Sequence, residues 1–109
     1  MHVINLNFTD PLEVYKCYMP FLTRGGIFYK TVDKYELETE VECKIKLPNS
    51  LEEYTIKGKI KWITPFPANE GFTPGVGIQF MENQDSLINN IEQIIAGGAA
   101  FSNHRTYTT

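Results

Sequence analysis

The chain reads as a mainly β protein, a small barrel or sandwich of short antiparallel strands with one helix near its C-terminal end. Three observations lead there. Residues 53–63 alternate, with Tyr54, Ile56, Ile60 and Trp62 on one side and Thr55, Lys57, Lys59 and Lys61 on the other. That period of two belongs to a half-buried strand. Shorter runs of similar character lie at 3–8, 27–31, 41–47 and 76–80, separated by glycine, proline and asparagine turns. Finally, Leu87, Ile88, Ile91, Ile94 and Ile95 recur at helical spacing.

In order, Ile4, Leu6 and Phe8 form the apolar side of a first strand. Asp10-Pro11 is a helix start, with Asp10 as N-cap and Pro11 at the first helical position. Two turns follow before Pro20 stops them. Leu12, Tyr15 and Met19 share one side of this helix; Val14, Cys17 and Tyr18 share another. Gly25-Gly26 makes a turn or bulge, and residues 27–31 a short strand. Val41, Cys43, Ile45 and Leu47 face inward on the next strand. Within the long strand Gly58 interrupts the apolar side, where a bulge or sharp bend is expected. Residues 65–75 are a loop. Val76, Ile78 and Phe80 point inward on the last strand, and Gly75 and Gly77 leave its outer side bare for a close neighbour. Asp85 or Ser86 caps the final helix and Gly97-Gly98 ends it. The expected organisation is one domain over 1–98, closed by this helix, and a flexible polar tail over 99–109.

With 109 residues and a formal charge of −3, the chain lacks the basic balance of a protein that holds nucleic acid over a broad face. Lys44, Lys46, Lys57, Lys59 and Lys61 share the outer side of one hairpin. One register, however, sets Lys46 opposite Glu53, Glu42 opposite Lys57, Glu40 opposite Lys59 and Glu38 opposite Lys61. Cross-strand pairs of opposite charge each contribute about 0.2–1 kcal/mol, so a cross-paired, solvated surface is expected and no nucleic acid partner.

No run is apolar enough to insert in a membrane, and the first residues lack the basic start and apolar block of a secretory signal. The cytoplasm is the expected location, with Cys17 and Cys43 reduced. Cys43 is expected to be a buried hydrophobe and Cys17 the more accessible thiol. His2 and His104 lie near the ends, in segments expected to be mobile. No metal motif, phosphate loop or paired catalytic groups stand out, so neither an enzyme nor a cofactor is expected.

Tyr15, Tyr18, Met19, Pro20 and Phe21 fall within seven residues. Some must cap the core. Two turns of helix cannot bury all of them, and exposed Tyr, Met and Phe together suit a protein-binding surface. Alternation places Trp62 inward, in the core; exposed, it would join that surface.

Gly25-Gly26-Ile27-Phe28, the stretch from Gly58 through Lys59-Ile60-Lys61-Trp62-Ile63-Thr64-Pro65, and Gly75-Val76-Gly77-Ile78-Gln79-Phe80 before a helix together resemble a PilZ domain. Tyr18-Met19-Pro20-Phe21, Trp62-Ile63-Thr64-Pro65 and the threonine-rich end after Gly97-Gly98 are similar to the subgroup that serves type IV pili. The resemblance implies a six-stranded antiparallel barrel. The family binds cyclic di-GMP through an Arg-x-x-x-Arg segment and an Asp/Asn-x-Ser-x-x-Gly segment, in which guanidinium forks grip phosphate and guanine. This chain has two arginines, Arg24 and Arg105, so the first segment is absent. The second falls on residues 21–26. There Phe21 replaces the acid or amide, Thr23 replaces the serine, Arg24 lies between, and Gly26 alone matches fully.

The resemblance therefore implies an adaptor for pilus assembly and twitching motility that leaves cyclic di-GMP unbound. It would be a monomer alone, recruited to the inner-membrane pilus machinery by the pilus-extension ATPase and in some bacteria by a degenerate GGDEF/EAL protein. Tyr15, Tyr18, Met19, Pro20, Phe21 and Trp62 would carry the contact, with Tyr107 in a tail that either orders on a partner or stays disordered. The alternative is a cyclic di-GMP receptor with an unusual site built on Arg24 and lysines.

Overall fold

The computed structural model describes residues 2–48, 50–64 and 74–106, with side chains described as far as Gly97. The elements run β1 (His2–Asn7), α1 (Pro11–Cys17), β2 (Gly26–Lys30), β3 (Glu40–Lys46), β4 (Glu53–Ile63), β5 (Gly75–Phe80) and α2 (Asp85–Thr106). The strands form one curled sheet in the order β1-β3-β4-β5-β2, a half-barrel with a C-terminal helix. Two expectations need correction. The described residues carry five strands, not six. The sheet is also not wholly antiparallel, because β1 runs parallel to β3. Parallel neighbours need a long crossover, and here α1 and β2 lie between them in sequence.

The β3–β4 hairpin pairs Glu40 with Lys59, Glu42 with Lys57 and Lys46 with Glu53, which is the register that charge and burial both favour. Inward from it point Val41, Cys43, Ile45, Ile56 and Ile60, all buried. Gly58 does not form the bulge expected of it. It pairs regularly with Val41 and Phe80. Packing requires it: a Cβ at residue 58 would lie 2.3 Å from Ile78 Cγ2. The irregularity of β4 comes later, between Ile60 and Trp62.

α1 forms where Asp10 accepts from the Leu12 amide at 2.9 Å, with Pro11 in the first turn. Its inward side carries Val14 and Cys17. Cys17 is thus 4% exposed, against the expectation of an accessible thiol. Between β1 and β2, the two edges of the sheet, lies an open cavity of about 150 Å³ whose lining includes Asn5, Asn7, Glu13, Cys17 and Lys30. His2 is held in β1 opposite Val41, with its Nε2 2.8 Å from the Tyr35 hydroxyl. It is not part of a loose end.

The cap of α2 lies one residue before the earlier of the two expected. Ile88 N–H donates to Gln84 C=O at 2.8 Å, so Gln84 caps and Asp85 lies in the first turn. Leu87 and Ile91 are buried, and Ile88, Ile94 and Ile95 pack against the core at its margin. Asn90 donates to the Tyr54 hydroxyl on β4. The helix does not stop at Gly97-Gly98 but continues to Thr106, so most of the expected tail is helical. Glycine costs a helix about 1 kcal/mol relative to alanine, and the alanines at 96, 99 and 100 counter that preference. No described helix is long and apolar enough to cross a membrane.

Ile91 is fully buried under the sheet. Ile91→Ala should lower unfolding stability by about 2–5 kcal/mol in denaturant titration. Deleting residues 86–96 should abolish cooperative melting altogether.

Candidate functional site

The outer side of β5 is the place to begin, because Gly75 and Gly77 give it no side chains there. The neighbours close over them. A Cβ on Gly77 would lie 3.0 Å from both Met19 Cε and Sδ and 3.1 Å from Trp62 Cβ. A Cβ on Gly75 would lie 2.5 Å from Phe28 Cζ and 2.4 Å from the Tyr29 carbonyl oxygen. Met19, Phe28 and Trp62 therefore lie on a bare strip of backbone. The Phe28 and Trp62 rings pack tilted at 56°, with centroids 6.0 Å apart.

Trp62 reaches this place through the β-bulge. Ile60 pairs with Ile78, and Trp62 with the very next residue, Gly77. Lys61 is the extra residue, and everything beyond it changes side. Trp62 turns outward, 39% exposed, while Ile63 takes the inward position opposite Val76. The inward reading of Trp62 is thus overturned.

The other expected surface residues divide. Tyr15 is 56% exposed on the outward side of α1, next to exposed Leu12. Pro20 is exposed and Phe21 is 76% exposed. Met19 joins them to Trp62 through Gly77. Tyr18 turns inward instead. It bridges Ile27 across the edge of β2, and burial and the Glu92 carboxylate raise its pKa. Tyr107 lies outside the described residues. Phe28 and Leu12 were absent from the expected surface; the outward side of β2 and the α1 periodicity were the signals for them.

Residues 21–26 form a tight turn. Gly25 N–H donates to Leu22 C=O at 2.8 Å, and both Arg24 and Gly25 are left-handed, with φ of 63° and 82°. Phe80 N–H donates to Gly25 C=O, and Arg24 Nε donates to Phe80 C=O at 3.2 Å. This draws Arg24 back onto the end of β5. Thr23 is exposed, and Gly26 is pressed so closely on Ile78 that a Cβ would lie 2.5 Å from its carbonyl oxygen. Phe21, exposed in the position of an acid or amide, offers no hydrogen-bond acceptor on its side chain.

On the β3–β4 surface Glu38 ion-pairs with Lys61 at 2.9 Å and with Lys59 at 3.9 Å. Among the described residues the other register partners lie side by side without closing to that distance. Also among the described residues, no three His, Cys, Asp or Glu side chains gather to hold a metal.

The sequence profile of the PilZ domain matches residues 2–97. The chain belongs to the PilZ domain family. Among curated proteins no relative matches it. PilZ domains are generally non-catalytic binding domains, and they act as cyclic di-GMP receptors or adaptors.

In this PilZ domain the thiols are quiet. Burial, with a smaller contribution from the Glu42 carboxylate, pushes Cys43 from 9.0 up to about 12. An unfolded chain loses that proton near the ordinary value while the folded chain keeps it. Stability should therefore be unaffected by this group below pH 9 and fall as pH rises above it. The slope is at most about 1.4 kcal/mol per pH unit for one proton. Denaturant titrations from pH 8 to 11 should show a shallower decline in Cys43→Val than in the parent.

Proposed function

We propose that this PilZ domain is a non-enzymatic adaptor of type IV pilus biogenesis and twitching motility that grips the pilus-extension ATPase and does not itself bind cyclic di-GMP. The observation that carries the reading is the meeting of three apolar side chains over the glycines of β5. Met19, Phe28 and Trp62 lie together on the glycine strip, and Pro20 and Phe21, which follow Met19 in the chain, are exposed, as is Tyr15 on α1. Exposed apolar patches of this kind mark protein contacts, and aromatic anchors dominate their energetics. The same turn that presents Phe21 is where the family's nucleotide segment would fall, and the arginine pair that would grip phosphate is missing. Resemblance to the pilus subgroup supplies the partner's identity, and a degenerate GGDEF/EAL protein is a second candidate for the same assembly. The domain acts in the cytoplasm and is drawn to the inner-membrane machinery by these partners.

The test combines two measurements. In pull-downs with the ATPase, folded Tyr15→Ala, Met19→Ala, Phe21→Ala and Trp62→Ala variants are compared with the parent. Loss at a central anchor should be about 5- to 30-fold, corresponding to about 1–2 kcal/mol. Retention by all of them at parental affinity removes the assignment. Calorimetry of the isolated chain with cyclic di-GMP should show no binding heat; stoichiometric uptake would establish the receptor reading with Arg24 and lysines instead.

A further inference from the structure

Glu38 precedes β3 in a left-handed conformation, with φ of 70°. That region is disfavoured for residues with a branched or long side chain and suits glycine or asparagine. The residue is nevertheless held through both its backbone N–H and its carboxylate. Its N–H donates to Ile60 C=O at 2.8 Å, and Ile60 N–H donates in turn to Thr39 C=O at 2.9 Å. Its carboxylate accepts two bonds from Lys61 Nζ, at 2.9 and 3.0 Å, and lies 3.9 Å from Lys59 Nζ. Ile60 is the last regular residue of β4 before the bulge, and Lys61 is the residue the bulge inserts. Glu38 thus holds the bulge by its backbone on one side and by its carboxylate on the inserted residue itself. Trp62 comes next in the chain. Its placement on Gly77 depends on where that inserted residue sits.

An unfavourable backbone conformation persists where the surroundings over-determine it, and such positions cluster where a geometry is used. Glycine in this position would be easier on the backbone. What glutamate adds is the carboxylate on Lys61. We propose that Glu38 is a positioning residue of the docking surface: by fixing Lys61 in the bulge it sets the Trp62 indole over Gly77, beside Met19 and Phe28, in the orientation a partner meets. The proposal rests on the reading of that surface as the one that grips the ATPase.

Trp62 is the only tryptophan of the chain, so its fluorescence reports this place alone. Glu38→Gly removes the carboxylate and relieves the backbone. It should melt at the parental temperature or slightly above. Its Trp62 emission should nevertheless shift and its acrylamide quenching rise, and its affinity for the pilus-extension ATPase should drop about two- to fivefold, the range an exposed ion pair supports. Glu38→Gln should show the same spectral change. At 1 M salt, where screening acts over about 3 Å, the parent should move toward the variants and the variants should not move. Unchanged emission and quenching in both variants would overturn the positioning role. Altered Trp62 fluorescence with undiminished ATPase affinity would instead overturn the docking reading and the function assigned to Glu38 within it. A glycine variant that loses stability along with indole order would make Glu38 merely structural and overturn the proposal.

Discussion

One pairing register, that of β3 on β4, governs the rest of the molecule. It places Val41, Cys43, Ile45, Ile56 and Ile60 on a single buried side and sets glutamates against lysines on the other. A slip of one residue would send that whole apolar set into water. Burying a side chain of this size contributes about 1.5–3 kcal/mol, so the wrong register is excluded by a margin larger than surface charge pairs can supply. Hydrophobic burial selects the register, and the opposite charges agree with it. Gly58 belongs to the same constraint, since only a residue without a side chain leaves Ile78 its place across the sheet.

Much of this was legible from the order of residues, because alternation reports the side a residue faces. The bounds of β4, the charge partners and the isoleucine stripe of α2 all follow from it. Most of the failures have a common cause: they needed a neighbour from another element. The bulge at Lys61 shows locally only as two adjacent apolar residues, Trp62 and Ile63, and which one turns inward is decided by β5 opposite. Cys17 looked accessible until α1 was seen to pack its Val14 side inward. Gly97-Gly98 reads as a stop, yet the helix continues beyond it. Of the aromatic cluster, Tyr15 and Phe21 were legible as exposed, whereas the role of Phe28 and the inward turn of Tyr18 came only with β2 in place.

The bare strip on β5 is where the sheet of this PilZ domain gathers its apolar surface. Two glycines remove the side chains that would otherwise separate β2, β4 and the segment after α1. Three apolar side chains from three parts of the chain then meet there, where no single stretch of sequence would have brought them together. The surface is thus a tertiary product of the sheet rather than of any one motif.

The sheet also has two ends. β1 and β2 stand at its margins and leave between them a hollow whose lining includes Asn5, Asn7 and Lys30. A curled sheet with free margins changes its curvature by moving those margins, whereas a closed barrel would have to break hydrogen bonds to do so. α1, which connects β1 to β2 in the chain, spans the gap like the spring of a clip. Tyr15 projects from α1 into solvent, so whatever touches it touches the segment that links the two margins.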